Sequence, residues 1–536
     1  MLAITAQEIA DLTGGELIGG ATGTEQVTGE ARIDSRAVRE GDLFAAFHGE
    51  NVDGHRFVGS ARDAGAALAL VTDAVDVPAV RVADVVTALS DLARAQLASA
   101  RARREDLRVV ALTGSAGKTG TKDLLGALLR EIGPTVAPSG SPNNELGLPL
   151  TVLSLTEDTR FLVLEMGARG IGHIAHLTAI APPDVSLVLN VGSAHLGEFG
   201  SVEAIAQAKG EIVEALQPTG RAILNADDAR VARMASRTSA PVTTWGVASG
   251  DVRVQDLRLD EQARARLTLA VPEGLTRLDG SAIPADTREI TLDLLGEHQA
   301  LNAVAAATAA LVLGMDLEDL ARLLPRLHLS SGQRMEAVHA AGDVLILNDA
   351  YNANPDSMRQ ALKTLAHLGR TRRTIAVLGE MLELGEDSLR LHDEVGRLAV
   401  RLNISQLIAV GPGARLIHRG ACLEGSFGDE SEEVPDLDAA LERLVEIVEP
   451  GDVILLKSSR DAGLRTLAQP LRDALDARER GGGDPAAAPS GGSAGAHAPA
   501  AHGMADSQDT APDPATTGPT PTTDDHEPGD AGGARA

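Results

Sequence analysis

The stretch Thr113-Gly114-Ser115-Ala116-Gly117-Lys118-Thr119 constrains the fold of this chain more than any other. It follows the apolar run Val109-Val110-Ala111-Leu112, which reads as a buried strand, and it precedes a helical pattern over residues 122–129. Glycines let backbone N–H groups close around an anion, and the start of a helix adds a favourable partial charge. Lys118 is then placed to reach terminal phosphates, and Thr119 to offer a hydroxyl to Mg²⁺. A glycine-rich turn beside a solvated lysine would use the same residues, but the strand–loop–helix order favours a bound nucleotide. The loop is shorter than the common phosphate-loop pattern, since the position five before Gly117 is Leu112 rather than glycine.

A chain of 536 residues exceeds one core and predicts roughly three domains. Strand and helix patterns alternate through residues 1–480, which predicts α/β architecture. Boundaries are expected near 105 and 328. Apolar strand-like runs follow the loop at 161–164, 185–189 and 222–224, and a second series lies at 375–378, 407–410 and 453–456. The stretch 241–295 between the two series reads as short strands and turns, and Arg101 to Arg104 as a basic connector. Only six Phe, Trp245 and Tyr351 supply aromatic rings, so the core must be built from Ala, Val, Leu and Ile. Residues 481–536 hold Met504 as their only large apolar side chain, with eight acids and one arginine. That composition cannot offset its ordering entropy and predicts a disordered acidic tail.

The formal charge of -28 argues against a nucleic-acid partner, whose backbone is held by Lys/Arg surfaces. Cys422, the single cysteine, excludes an internal disulfide and a cysteine-based zinc site. The first twenty residues carry Glu8, Asp11 and Glu16 with no basic or long apolar run, and no stretch approaches eighteen apolar residues. Neither a signal peptide nor a membrane span is expected, and the expected compartment is the cytoplasm.

Further polar motifs stand just after strands, where the crevice of an open α/β sheet lies. Glu165 ends the run 161–164 and is followed by Met166-Gly167. Asn190-Val191-Gly192-Ser193-Ala194-His195 follows 185–189, and Gln207-Ala208-Lys209-Gly210-Glu211 falls on a helical pattern over 205–216. Taken singly, Glu165 could cap a helix, His195 could be an ordinary loop histidine and Lys209 a surface lysine. His298 and Asn302 stand four apart on one helix face, where capping and packing are alternatives for His298. Ser331-Gly332-Gln333-Arg334 and Asn348-Asp349-Ala350-Tyr351-Asn352-Ala353-Asn354-Pro355 begin the third region, and Leu455-Leu456-Lys457-Ser458-Ser459-Arg460 closes it.

In this order, together with Pro142-Asn143-Asn144-Glu145, these segments resemble the Mur ligase family along most of residues 1–470. The resemblance implies three domains: 1–105, an α/β domain binding UDP or the muramoyl group; 106–328, a central ATP-binding parallel sheet; and 329–480, a Rossmann-like domain. It implies ATP contacts from Gly114, Ser115, Ala116, Gly117, Lys118, Thr119, Gly120, Asn302, Arg334 and Asp349. Mg²⁺ would be held at two sites, by Thr119 and Glu165 and by His195 with a CO₂-derived carbamate on Lys209. Asp34-Ser35-Arg36, with Gly41-Asp42-Leu43-Phe44 and Asp53-Gly54-His55, resembles the first domain of the two later ligases, so Ser35 and Arg36 are the expected UDP-substrate contacts. The segment Tyr351 to Met358 resembles the member that adds D-alanyl-D-alanine to UDP-N-acetylmuramoyl-tripeptide, in peptidoglycan precursor synthesis. The implied chain is a monomer that phosphorylates a carboxylate and couples it to an amine. The preceding ligase, which adds the third residue, and a nucleotide-switched binding protein are the alternatives. Ser458 stands where relatives carry glycine, and Gly120 where a hydroxyl residue is usual.

Overall fold

The computed structural model describes residues 1–49, 52–192, 196–425 and 430–481. His195 and all but the first residue of the expected tail lie outside the described residues. Three of the four sheets among the described residues, each covered by helices, form three α/β domains; the fourth is the small antiparallel pair of Ile4–Thr5 with Gln26–Val27. The first sheet runs in the order Glu16–Ile18, Ala79–Arg81, Leu68–Val71, Leu43–Ala45 and Ala31–Arg32, parallel except at its Glu16–Ile18 edge. The helix Val85–Arg103 follows, started by Asp84, whose carboxylate accepts from Thr87 N at 2.7 Å. Arg101 and Arg103 form the basic last turn of this helix rather than a connector, where cations suit the negative end of the helix dipole. Arg101 also pairs with Asp184 at 2.9 Å, fastening the helix to the loop before the next sheet's Val185–Val188 strand.

That second sheet has nine strands. Arg108–Thr113 sits between Phe161–Glu165 and Val185–Val188, all parallel, and Arg221–Asn225 and Val242–Gly246 extend the parallel run. The stretch expected to hold short strands instead forms Val252–Leu259, Arg264–Val271 and Asp286–Leu295, of 8, 8 and 10 residues. The first continues the sheet in parallel and the other two are antiparallel. Val254, Leu267, Leu269, Ile290 and Leu292 alternate with polar or charged positions that are exposed or half-buried, so the apolar signal never runs long enough to read as a buried strand. The buried face is covered by the helix Glu297–Val312, whose alanines at 300, 303, 305, 306, 307, 309 and 310 let it lie deep between the sheet and the helix Lys118–Arg130.

The third sheet runs Glu336–Ala340, Val344–Asn348, Val453–Lys457, Thr374–Leu378, Gln406–Val410 and Ser431–Val434, parallel except at its Glu336–Ala340 edge. Among the described residues no helix is long and apolar enough to cross a membrane.

The helices Ser388–Arg401 and Arg415–Glu424 cross at two glycines. A Cβ on Gly396 would lie 1.9 Å from Ile417 O, and one on Gly420 would lie 2.2 Å from Asp393 O. Gly396→Ala must therefore spread this crossing, at a cost of about 1–3 kcal/mol. Urea unfolding should register that loss while nucleotide turnover per folded molecule stays at the native level. An unchanged unfolding midpoint would show that the helices have room to part.

Candidate active site

The loop between Arg108–Thr113 and Lys118–Arg130 is held by contacts that take up the amides of Ser115 and Ala116 but not those of the following helix turn. Gly117, at φ +85°, starts the helix with no side-chain cap, so the N–H groups of the first turn remain for an anion. A Cβ there would meet Asn302 Oδ1 at 2.3 Å and would have to displace that carboxamide, in a backbone conformation that favours glycine. Asn190 braces the loop from the neighbouring strand: its Oδ1 accepts from Ala116 N at 2.9 Å, and its Nδ2 donates to Ala116 O at 3.1 Å. Ser115 Oγ accepts from Gly192 N at 2.8 Å. Lys118 Nζ folds back to donate to Gly114 O at 2.9 Å. Burial lowers the lysine's pKa from its ordinary value; Glu165 opposes that shift and the charge of Arg334 adds to it.

Glu165 ends the fully buried strand Phe161–Glu165 and is itself 2% exposed. Its Oε2 accepts from Thr119 Oγ1 at 2.8 Å, and its Oε1 accepts from Asn143 Nδ2 at 2.7 Å and from Ser141 Oγ. It caps no helix. A carboxylate beside two hydroxyls is an all-oxygen donor set of the kind Mg²⁺ takes, set against the phosphate loop. Lys209, on the helix Val202–Glu214, is 3% exposed rather than on the surface. Burial, reinforced by the charge of Lys118 and opposed by Glu165, holds its pKa well below the ordinary lysine value. No described residue accepts a hydrogen bond from its Nζ.

The opposite wall comes from the third sheet. Arg334 stacks over Tyr351, with its guanidinium carbon 4.3 Å from the ring centroid. Asp349 accepts from Met335 N at 3.1 Å and pairs with the buried Lys457 at 2.6 Å. Asn354 caps the helix Pro355–Leu368 by accepting from Ser357 N, and its Nδ2 reaches across to Ser115 O at 3.3 Å. Gly192 lies so near this wall that a Cβ would meet Asp356 Oδ2 at 2.2 Å.

These walls enclose a cavity of about 920 Å³. The residues from Ser115 to Gly120, with Glu165, Asn302, Arg334 and Asp349, line it together. Gly114 and Lys209 are not in its lining. Ser35 and Arg36 are not brought to it either: they form the short helix Ser35–Ala37, where Arg36 is 88% exposed and pairs with Asp34 at 2.8 Å. Arg169, His173, His176 and Trp245 line the cavity without having been singled out. Arg169 and Trp245 follow or end strands on the same sheet edge as Glu165, the one signal that could have found them. His298 also faces the cavity, with a buried Nδ1 that has no partner.

The assembly of a phosphate loop, a buried carboxylate and a facing Rossmann-like wall can be compared with known proteins. Residues 30–111 match the description Mur ligase family, catalytic domain. Residues 112–310 match Mur ligase middle domain, and 333–460 match Mur ligase, glutamate ligase domain. The chain is 42% identical to the UDP-N-acetylmuramoyl-tripeptide--D-alanyl-D-alanine ligase of Mycobacterium tuberculosis, over 88% of this chain and 98% of that one. The chain belongs to the Mur ligase family. With the ligase of the same description from Escherichia coli, identity is 32% over 88% of this chain and 99% of that one. A crystal structure of MurF from Acinetobacter baumannii superposes with a TM-score of 0.76 at 32% identity, covering 88% of this chain and 99% of that one. A MurF ligase from Thermotoga maritima, determined in complex with ADP, gives 0.69 at 30% identity, covering 84% and 99%.

Burial pushes the pKa of His298 down from 6.5 to about 4, with Asp349 opposing and Lys457 adding. Between these values the unfolded chain takes up a proton that the folded protein refuses. Stability is therefore fully present above about pH 6.5 and declines as pH falls toward 4. Urea unfolding of His298→Gln should show a smaller loss between pH 7 and pH 5 than the native chain. Parallel losses in the two proteins would remove His298 as a source of that acid sensitivity.

Proposed function

We propose that this Mur ligase joins D-alanyl-D-alanine to UDP-N-acetylmuramoyl-tripeptide, with ATP hydrolysed to ADP and phosphate. The observation that carries the reading is identity of 42% across nearly the whole M. tuberculosis ligase, on a chain whose loop, carboxylate and facing wall share one cavity. The nucleotide lies with its phosphates against residues 114–120, between Asn302 on one side and Arg334 and Asp349 on the other. The tripeptide carboxylate attacks the γ-phosphate, breaks its bond to the bridging oxygen to release ADP, and becomes an acyl phosphate. The dipeptide amine then attacks that carbonyl and phosphate departs.

The first step brings two anions together. Lys118 and the uncapped helix N-terminus answer that repulsion with fixed positive charge aimed at the phosphates. Mg²⁺, held by Thr119 and Glu165, would neutralise charge on the phosphate oxygens when bound. A second ion would use His195 and a carbamate on Lys209. Burial of Lys209 favours its neutral amine, the form that adds CO₂, and an anionic carbamate supplies the oxygens that an ammonium lacks. Ser35 and Arg36 contribute the UDP-substrate contacts from the first domain. On this reading the chain acts as a monomer in the cytoplasm, where the nucleotide-linked substrates are.

ADP release should require the muramoyl nucleotide and D-alanyl-D-alanine together. AMP as product would refute the acyl-phosphate route, and steady ATP hydrolysis without either substrate would point to a nucleotide switch. Lys209→Ala should lose most of the turnover and regain part of it when short-chain carboxylates are added. Near-native turnover in that variant, with no response to carboxylate, would remove the carbamate.

A further inference from the structure

Besides Lys118, the cavity is lined by the cations Arg169, Arg334, Lys457 and Arg460. Arg169 lies 3.9 Å from Glu198 and 3.6 Å from Glu383. Lys457 is held by Asp349 at 2.6 Å. Arg334 stacks on Tyr351, and its charge is felt at Lys118, which sets it on the phosphate side. The guanidinium of Arg460 meets no carboxylate, carbonyl or ring among the described residues, its neighbour Asp461 included.

The backbone beneath Arg460 is, by contrast, tightly held. Ser459 N donates to Glu380 O at 2.9 Å, and its Oγ accepts from Leu382 N at 2.9 Å and donates to Ala353 O at 3.4 Å. Gly379 packs so close that a Cβ on it would lie 2.7 Å from Ser458 Cβ. A fixed turn at the end of Val453–Lys457 thus presents an unpaired guanidinium to the cavity. Such a group matches the planar, two-oxygen geometry of a carboxylate.

Which anion it receives follows from the chemistry, on the ligase reading above. The phosphates belong to the loop on the opposite wall, and the reacting carboxylate of the tripeptide must lie beside them. The incoming dipeptide must place its amine at that same carbon. Extended, two residues span about 7 Å, so its own carboxylate points away from the phosphates. We propose that Arg460 is a specificity-determining residue that receives the terminal carboxylate of the incoming D-dipeptide. The amine substrate is thereby selected as a free acid, and its reactive end is aimed at the acyl carbon.

The test is steady-state kinetics of the full chain with D-alanyl-D-alanine and with its C-terminal amide, at saturating ATP and UDP-N-acetylmuramoyl-tripeptide. The native chain should favour the acid over the amide by about 10- to 100-fold in kcat/KM, the worth of charge-assisted hydrogen bonds. Arg460→Ala should raise KM for the acid by a similar factor and use acid and amide alike. Its KM for ATP and for the tripeptide nucleotide should not move, and Arg460→Lys should recover part of the preference. Because Arg460 holds no partner among the described residues, its variants should unfold at the native temperature. Full retention of the preference in Arg460→Ala, or a rise in KM for ATP or the tripeptide instead, would overturn the assignment. A native chain that couples neither amine would overturn the ligase reading itself, and this assignment with it.

Discussion

A carboxylate shut away from water must be answered by donors, and the site is organised around how Glu165 is answered. Its three donors come from separate places: Thr119 from the helix behind the phosphate loop, and Ser141 and Asn143 from the segment after that helix. Each would leave a buried charge underserved if it moved, so all three segments are held in register with the strand Phe161–Glu165. The same segments extend the tie toward the third domain. Asp123 accepts from Ser331 N at 2.8 Å, Ser331 Oγ accepts from Gly140 N at 2.9 Å, and the buried Lys122 donates to Gly140 O at 2.8 Å. Ser331 stands just before Arg334, so the chain that carries this arginine across the cleft is anchored to the helix of the phosphate loop.

The cavity lies where it does because both larger sheets turn the carboxyl ends of their parallel strands toward each other. In the second sheet those ends deliver the phosphate loop, Glu165, Asn190 and Asn225. In the third they deliver Asp349 and the turn from Lys457 to Arg460. Polar side chains are affordable at strand ends because the apolar interior of each strand already supplies the burial that holds the sheet. Asn354 Nδ2 on Ser115 O, and the close pass of Gly192 beside Asp356, show how near the two edges come.

What was legible in the sequence was local. The phosphate loop could be read because glycine, lysine and threonine at fixed spacing do their work within one strand–turn–helix unit. Glu165 could be read because it ends an apolar run. Lys209 was harder: Gln207, Glu203 and Glu214 make its helix look solvent-facing, and only packing of the helix on the sheet puts the lysine at 3% exposure. The strands between 252 and 295 were misread because half of each faces water. Arg101 and Arg103 looked like a connector because helix ends and linkers share a taste for cations. The unpartnered Nδ1 of His298 and the free guanidinium of Arg460 depend on what other segments bring near them, which no spacing along the chain encodes.

An acidic chain that must gather anionic substrates looks self-defeating until the range of each charge is considered. The formal charge of -28 is spread over a surface screened within about 8 Å at physiological salt. The cations of the cavity act at contact distance and in a drier medium, where a charge is worth far more. Burial lowers the affinity of both Lys118 and Lys209 for a proton, and the charge of Lys118 lowers that of Lys209 further. Each anion that enters stabilises the charged form of the lysines facing it, and by linkage those lysines hold the anion more tightly. The burial that makes Lys118 a reluctant proton holder is therefore the same condition that makes negative charge beside it worth holding.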